Sequence, residues 1–146
     1  MMSATGELFE LLTAIATAAL AIIGFVQFSS LRNETKAANA FRLIEKRESD
    51  PDILAVRDKF ITILNVHRGK IKYECLSSEE VSTVRKILNS WEFLCLGIRN
   101  GAIGENVIKQ YYRSWMIKDF DRLYPVILYI RNANEVDAFY RNFEHI

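Results

Sequence analysis

Hydrophobic and polar positions divide the chain into one uninterrupted apolar run and a series of amphipathic segments. The run extends from Leu11 to Leu31 and holds 21 residues, none of them charged. A helix of this length rises about 31 Å, close to the roughly 30 Å hydrocarbon thickness of a bilayer. We therefore expect residues 1–31 to form an N-terminal tail and a transmembrane helix.

A buried core helix and a cleaved signal peptide are the two alternatives to a retained membrane span for the apolar run. A buried core helix is usually shorter and shows polar side chains along one edge. A cleaved signal peptide has a basic segment before its apolar run, whereas the charged residues before Leu11 are Glu7 and Glu10. Ala16-Thr17-Ala18 and Ala19-Leu20-Ala21 would be its cleavage patterns. The retained span explains the run best.

Basic residues follow the apolar run and do not precede it. Because positive charge is retained on the cytoplasmic side, we expect a single-pass protein of the inner (plasma) membrane. Its N-terminus would lie outside, and residues 32–146 would form a cytosolic domain. The basic residues within about 16 positions of the membrane end are Arg32, Lys36, Arg42, Lys46 and Arg47.

Residues 32–66 predict two helices. The first continues from the span as a stalk, with Ala37, Phe41 and Ile44 as its apolar stripe. Asp50-Pro51 ends the stalk and starts a second helix, because Asp suits the cap position and Pro the first turn. The apolar face of the second helix runs from Ile53 to Val66.

The rest of the chain predicts three more helices and no strand. A capping box of Ser77 and Glu80 opens the third helix, which Asn100-Gly101 ends. A long helix begins near Glu105 and is kinked or divided at Pro125. A turn at residues 132–134 then precedes a short last helix. The fold class is therefore all-α: one transmembrane helix, a stalk and a small helical bundle. The side chains expected to pack inward from the last two helices are Val107, Ile108, Tyr111, Trp115, Phe120, Leu123, Val136, Phe139, Tyr140 and Phe143.

Polar and small residues recur along one stripe of the span. Their spacings of three and four are those of a heptad seam, and a polar stripe facing lipid costs free energy. We therefore expect copies of the chain to associate as a homo-oligomer, with a tetramer as one arrangement. In the alternative interpretation, a single span tolerates these residues. The stripe consists of Thr13, Thr17, Leu20, Gly24 and Gln27, and Leu31 continues it.

Charge is distributed unevenly, although the net charge of the chain is +1. The excess of Lys and Arg falls in residues 32–72, which suits anionic lipid headgroups or an anionic ligand. Cys75 and Cys95 form no CxxC motif, so we expect reduced, buried thiols and no metal site. Sequence motifs for nucleophilic, phosphoryl-transfer or metal catalysis are absent. We therefore expect neither an enzyme nor a cofactor.

A short basic loop is the first candidate for ligand binding. Cationic side chains beside an aromatic ring can hold phosphates and stack a base, although such a loop can also be solvated or rest on lipid. Arg99-Asn100 and the residues near Arg131 are other clusters of donors. The loop residues are His67, Arg68, Lys70, Lys72 and Tyr73, with Arg99 added as a further donor. Another candidate, whose aromatics also suit a core, consists of Lys109, Tyr111, Tyr112, Arg113, Trp115 and Lys118.

A resemblance to a known group rests on the segments Ile87–Glu92 and Leu96–Glu105, on Tyr124-Pro125 and on Arg131. They resemble a family of small bacterial membrane-anchored proteins with one span, a basic stalk and a helical domain. The likeness covers most of the chain and implies that Asn89 and Glu92 tie helices together. In architecture and size, the chain also resembles the small membrane effectors of type III CRISPR defence, whose helical cytosolic domain binds cyclic tetra-adenylate.

Two functions follow as hypotheses from this resemblance and from the residues. In the first, an oligomeric membrane effector binds a cyclic oligoadenylate, most simply cyclic tetra-adenylate, and disrupts the membrane or opens a pore in antiviral defence. In the second, the span anchors a helical adaptor or scaffold that binds a protein partner and no small molecule. A membrane-bound enzyme is the third and weakest alternative. It is kept because the absence of a known catalytic motif is weak evidence against catalysis.

Overall fold

The computed structural model describes residues 4–134 and 138–145, and every regular element in this part of the chain is helical. A short 3₁₀ helix, Tyr73–Cys75, lies between the second and third α-helices. The expected all-α fold is confirmed. The α-helices are α1 (Ala4–Ser49), α2 (Pro51–Val66), α3 (Ser78–Arg99), α4 (Glu105–Asn134) and α5 (Arg141–Glu144).

Internal contacts divide the chain into two compact units, Met1–Thr35 and Lys36–Ile146. The first unit contains the apolar part of α1, which is long and apolar enough to cross a membrane. None of its most apolar window is buried, whereas the core helix of a soluble protein would be mostly buried. The predicted boundary after residue 31 refers to the membrane surface and stays a prediction.

The second unit, here called the helical domain, has one hydrophobic core. Each of the five helices contributes buried apolar side chains, so the core forms only when the helices pack together. Burying one Leu, Ile or Phe side chain stabilises a fold by about 1.5–3 kcal/mol. Representative core residues are Ala40, Ile44, Phe60, Ile63, Val84, Leu88, Leu94, Ile108, Leu123, Ile127 and Phe143.

The predicted helix boundaries between α1 and α4 are confirmed. The Asp50 side chain caps α2, and Pro51 occupies its first turn. At the start of α3, Ser77 and Glu80 form both hydrogen bonds of a capping box. Gly101 follows the end of α3 with a φ of +67°, a conformation that glycine adopts without steric cost.

The connection between α3 and α4 is attached to α1. The backbone N–H of Gly104 donates to the carbonyl of Lys36 at 2.9 Å. A Cβ atom at Gly104 would lie 3.2 Å from that carbonyl oxygen, so a larger residue would force the two backbone segments to move apart. Beside it, the Asn39 amide donates to the carbonyl of Ala102 at 3.0 Å. These bonds fix residues 36–39 of α1 within the helical domain.

Two predicted inward faces are confirmed at Ile44 of α1 and at Ile108 and Leu123 of α4, which are buried, and wrong at other positions. In α1, Phe41 is 57% exposed, and the neighbouring Ala40 is fully buried. In α4, Tyr111 and Trp115 are exposed, whereas Tyr112 is buried. The predicted stripe and the observed stripe of each helix have the same spacings of three and four residues, so both fit the period of an α-helix. Partner helices decide which stripe faces the core.

The end of α4 also differs from the prediction. Helix α4 continues through Pro125 as far as Asn134, so residues 132–134 are helical and form no turn. The last helix begins only at Arg141, after Tyr140 has adopted a left-handed conformation with a φ of 60°. Phe139, expected to be buried, is 40% exposed. Val136 lies outside the residues that the structure describes.

The two cysteines have different environments, and the prediction that both are buried was wrong for one of them. Cys75 lies at the end of the 3₁₀ helix and is exposed. Cys95 is fully buried in α3. Burial, together with the negative charge of Glu92, raises the pKa of the Cys95 thiol to about 12. Cys95 therefore stays protonated near neutral pH.

Candidate ligand-binding pocket

A cavity of about 340 Å³ lies within the helical domain, among α1, α2, α3 and α4. We call it the aromatic pocket. One wall consists of apolar side chains of α2, and the other helices supply aromatic and charged side chains. A mostly apolar cavity with a few polar groups is the usual form of a small-molecule site. The α2 residues in the apolar wall are Ile53, Val56, Phe60, Ile61 and Leu64.

Besides Phe60 in the α2 wall, three aromatic side chains line the aromatic pocket: Trp91 from α3, and Tyr112 and Trp115 from α4. Trp91 meets Tyr112 edge to face, with ring centroids 5.7 Å apart. Trp91 also stacks with Phe143 of α5 at 6.0 Å. The chain has two tryptophans, so both of them border this cavity.

Arg47 brings a positive charge from α1 to the aromatic pocket. Its guanidinium carbon lies 4.3 Å from the ring centre of Trp91 and 5.3 Å from that of Tyr112. Its Nη1 atom donates a hydrogen bond to the Ser90 hydroxyl oxygen. Cation–π contacts at these distances stabilise the guanidinium. Within residues 4–134 and 138–145, no carboxylate forms an ion pair with it. Arg47 thus joins α1 to α3 and α4.

Glu48, the next residue of α1, is held by two donors. One carboxylate oxygen accepts a hydrogen bond from Tyr112 at 3.0 Å, and the other pairs with Arg57 at 3.0 Å. Arg57 in turn lies over Trp115, 4.3 Å from the ring centre. Burial and the bond to Glu48 raise the pKa of Tyr112 to about 12, so its hydroxyl stays a donor near neutral pH.

The remaining charged groups leave the aromatic pocket with both signs of charge. Asp119 of α4 accepts a hydrogen bond from the indole of Trp91 at 3.0 Å. Asp52 and Lys86 are exposed residues that also line the cavity. Across residues 4–134 and 138–145, no group of three His, Cys, Asp or Glu side chains is placed to hold a metal ion. The pocket offers aromatic contact, hydrogen bonds and a guanidinium.

The predicted basic loop lies elsewhere on the helical domain and is anchored at two points. The buried Ile71 donates its backbone N–H to the carbonyl of Arg122 at 2.9 Å. The ring of Tyr73 stacks on Tyr129, with centroids 4.0 Å apart and an interplanar angle of 11°. His67 lies 3.6 Å from the Glu80 carboxylate. The side chains of Arg68, Lys70 and Lys72, which neighbour these anchors in sequence, are exposed.

Arg99, the sixth predicted ligand-binding residue, is not brought to the basic loop. His67 contacts Glu80 near the start of α3, whereas Arg99 is the last residue of the same helix. At 1.5 Å per residue these two positions are about 28 Å apart along the helix axis. Arg99 instead donates to the Asn142 side chain at 3.0 Å.

The predicted association stripe lies entirely in the first unit, and its residues are exposed. The hydroxyl of Thr13 donates to the carbonyl of Phe9 at 2.8 Å, and that of Thr17 to the carbonyl of Thr13 at 2.8 Å. The two hydroxyls are thus satisfied within the helix. Association through Thr13, Thr17, Leu20, Gly24 and Gln27 stays a prediction.

Four charged residues that form contacts in the aromatic pocket are among those that were not singled out as ligand contacts by the sequence. Tyr112 and Trp115 belong to the second candidate cluster of the sequence analysis, but in the structure they contact residues from outside that cluster. Lys109 of that cluster pairs with Glu105 at 2.7 Å. The missed residues come from three helices, so no sequence spacing connects them. They are Arg47, Glu48, Arg57 and Asp119.

Comparison with known proteins places the chain in a family. Residues 11–146 match the sequence profile of a family described as a domain of unknown function, DUF4760. No curated protein and no solved structure matches the chain. The match extends over the apolar run, the aromatic pocket and the basic loop. The chain therefore belongs to the DUF4760 family.

Proposed function

We propose that this protein is a membrane-anchored, non-enzymatic effector that responds to a ligand bound by its helical domain. One observation carries the proposal: helix α1 contains both the apolar segment and two residues of the aromatic pocket, Arg47 and Glu48. A ligand in the pocket would contact the same helix that enters the membrane. The N-terminus would lie outside the inner membrane, and the helical domain in the cytosol.

The ligand proposed from the family resemblance is a cyclic oligoadenylate, and the response is membrane disruption or pore opening in antiviral defence. Three exposed cations in the basic loop, Arg68, Lys70 and Lys72, support contacts with several phosphates. In a symmetric oligomer each copy would contribute one such loop to a symmetric ligand. A tetramer would match a ring of four nucleotides.

The response requires that the ligand favour one arrangement of the helices over another. A ligand with equal affinity for two states shifts neither, whereas a hundredfold difference in affinity supplies about 2.7 kcal/mol. The contacts of Arg47 with Trp91 and of Glu48 with Arg57 hold α1 in the helical domain. Occupation of the pocket would change these contacts first.

The test uses the full chain in lipid vesicles that contain a fluorescent dye. Radiolabelled cyclic oligoadenylates of different ring sizes are added, and both binding and dye release are measured. We expect one ring size to bind and to release the dye. A variant with Arg68→Glu, Lys70→Glu and Lys72→Glu should lose binding. A control with the same charge change at the exposed residues Arg42, Lys59 and Arg85 should keep it.

A second candidate, a membrane-anchored adaptor for a protein partner, is favoured by an exposed apolar pair on α3. Phe93 is 67% exposed and Leu96 40%, and they lie one turn apart on the same helix. If no cyclic oligoadenylate binds to the folded chain, this function replaces the first. Thr13→Leu combined with Gln27→Leu separates the two, because it would impair a gated assembly and spare an anchor.

A further inference from the structure

Arg47 is a cation in the aromatic pocket with no carboxylate partner. Its Nη1 donates to the Ser90 hydroxyl, and the Tyr112 hydroxyl is the other side chain that hydrogen-bonds with the guanidinium within residues 4–134 and 138–145. The ion pairs of this part of the chain involve other cations, including Arg57 with Glu48. A guanidinium has five N–H donors, so most of those of Arg47 are available to a further acceptor.

We propose that the aromatic pocket binds a small ligand that combines a planar aromatic ring with one anionic group, and that Arg47 contacts the anion. The inference rests on the proposed function, since it assigns the ligand chemistry of the same pocket. A guanidinium presents parallel N–H groups to a carboxylate, a phosphate or a sulfonate, and such charge-assisted hydrogen bonds are the strongest class in proteins.

The hydrogen bonds and ring contacts of the charged groups in the pocket indicate that the ligand is an anion and not a cation. Aromatic walls also suit a cationic ligand, but guanidinium groups already lie over Trp91 and Trp115 at 4.3 Å. Both oxygens of Glu48 accept hydrogen bonds within the protein. Asp119 accepts one from Trp91. Both carboxylates thus accept hydrogen bonds within the protein. Arg47 interacts with Glu48 and Asp119 only at longer range and forms no ion pair within residues 4–134 and 138–145.

The planar part of the ligand follows from the walls and the volume. Tyr112, Trp115 and the apolar side chains of α2 provide surfaces against which an aromatic ring can pack. A volume of about 340 Å³ is at the lower end for small-molecule sites. It accommodates one ring system with one anionic substituent. A larger ligand would place one such unit in the pocket and the rest outside.

Two matched probes test the inference on the full chain in detergent micelles. They are 1-naphthalenesulfonate and 1-naphthalenesulfonamide, which share the ring and differ in charge. Because Trp91 and Trp115 are the only tryptophans and both line the pocket, their two ¹⁵N-indole resonances report binding there. We expect the sulfonate to shift both resonances and to bind at least about tenfold more tightly than the sulfonamide.

Three variants assign the preference to Arg47. Arg47→Met should remove the advantage of the sulfonate and leave sulfonamide binding unchanged, whereas Arg47→Lys should retain part of the advantage. Arg42→Met, which removes an exposed cation from the same helix, should retain all of it. Equal weakening by Arg42→Met would attribute the preference to the overall charge of the domain and overturn the role of Arg47. If Arg47→Met does not fold, Arg47→Lys and the two probes on the unaltered chain decide.

The outcomes separate this inference from the proposed function. Equal binding of the two probes would overturn the anion contact and leave an apolar ligand site in place. No shift with either probe would remove the pocket as a ligand site. Cyclic oligoadenylate binding and dye release by the same preparation would then keep the proposed effector, with the basic loop as its binding surface.

Discussion

The indole Nε1–H of Trp91 donates a 3.0 Å hydrogen bond to Oδ2 of Asp119 and thereby connects α3 to α4 at the aromatic pocket. No ion pair involves Asp119 in the part of the chain that the structure describes. Burial raises the pKa of the Asp119 carboxyl, and the indole bond together with the positive charges of Arg122, Arg47 and Arg57 offsets only part of this effect. The ionised form is therefore disfavoured in the folded protein.

This carboxyl makes the stability of the helical domain dependent on pH. A group whose pKa is higher in the folded state stabilises the fold fully below its unfolded-state pKa, about 3.9 for Asp, and this contribution is lost as the pH rises through the folded-state pKa. Asp119→Asn keeps an acceptor for the indole and removes the charge. At neutral pH we expect its free energy of unfolding to equal or exceed that of the unaltered chain.

The unaltered chain and Asp119→Asn are unfolded with urea in detergent near neutral pH and near pH 4, and tryptophan fluorescence monitors the unfolding. Any advantage of Asp119→Asn should decrease towards the acidic condition, where the carboxyl of the unaltered chain gains its proton. Asp121→Asn, an exposed change on the same helix, is the control. A variant less stable than the unaltered chain at neutral pH would show that the ionised carboxylate stabilises the fold.

Glu92 holds the C-terminal segment to α3. Its carboxylate accepts hydrogen bonds from the backbone N–H of Asn142 at 3.2 Å, from the side-chain amide of Asn142 at 2.7 Å and from the backbone N–H of Phe143 at 2.8 Å. Glu92→Ala removes all three and should lower the free energy of unfolding by about 1–3 kcal/mol. Urea unfolding of the full chain measures the loss.

The matched control for Glu92 is Glu79→Ala, which breaks an exposed ion pair with Lys59 at 2.8 Å. Solvent screens an exposed pair of this kind, so this change should have little effect on stability. Amide hydrogen exchange should increase at residues 138–145 in Glu92→Ala and not in Glu79→Ala. Equal losses of stability in both variants would contradict the role assigned to Glu92.

Gly104 permits the attachment of the α3–α4 connection to α1. Gly104→Ala places a Cβ 3.2 Å from the Lys36 carbonyl oxygen and 3.4 Å from Cα of Ala37, both backbone atoms that move only with the helix. We expect a loss of about 1–3 kcal/mol in the free energy of unfolding of the helical domain. Gly6→Ala, whose Cβ meets no atom within 4 Å, should leave that value unchanged.

Gln27 should contribute more to self-association than Thr13. The hydroxyl of Thr13 is satisfied by its own helix, whereas the side-chain amide of Gln27 has no hydrogen-bond partner in the part of the chain that the structure describes. Hydrogen bonds between membrane helices contribute on average about 0.6 kcal/mol and at most about 1.7. Gln27→Leu should weaken association in lipid by up to that amount, and Thr13→Val by less, as measured by energy transfer between labelled copies. An equal effect of both variants would contradict this order.

The local signals in the sequence were sufficient to predict where the helices begin and end. Asp50-Pro51 and the Ser77–Glu80 capping box act through neighbouring backbone groups, so their positions follow from chemistry within a few residues. The role of Glu92 was implied by the family resemblance, and the structure bears it out.

The faces of the helices and the aromatic pocket required the tertiary structure. Stripes containing Ala40 or Phe41 are both compatible with a helical period, and only the packing partner of α1 selects between them. Tertiary packing also decides the length of α4, which continues past Pro125 to Asn134. Packing on both sides of Pro125 outweighs the backbone hydrogen bond that the proline removes. Arg47, Trp91 and Asp119 come from three helices, and no local pattern brings them together.

The contrast between the two cysteines has a practical consequence. Thiol reagents attack the thiolate, so Cys95, buried and with a pKa of about 12, is protected, whereas Cys75 is exposed. A maleimide spin label or fluorophore would therefore attach to the unaltered protein at one position, close to the basic loop. Lipids with a quencher or a paramagnetic headgroup could then measure how far that loop stands from a bilayer. No residue would have to be changed for the experiment.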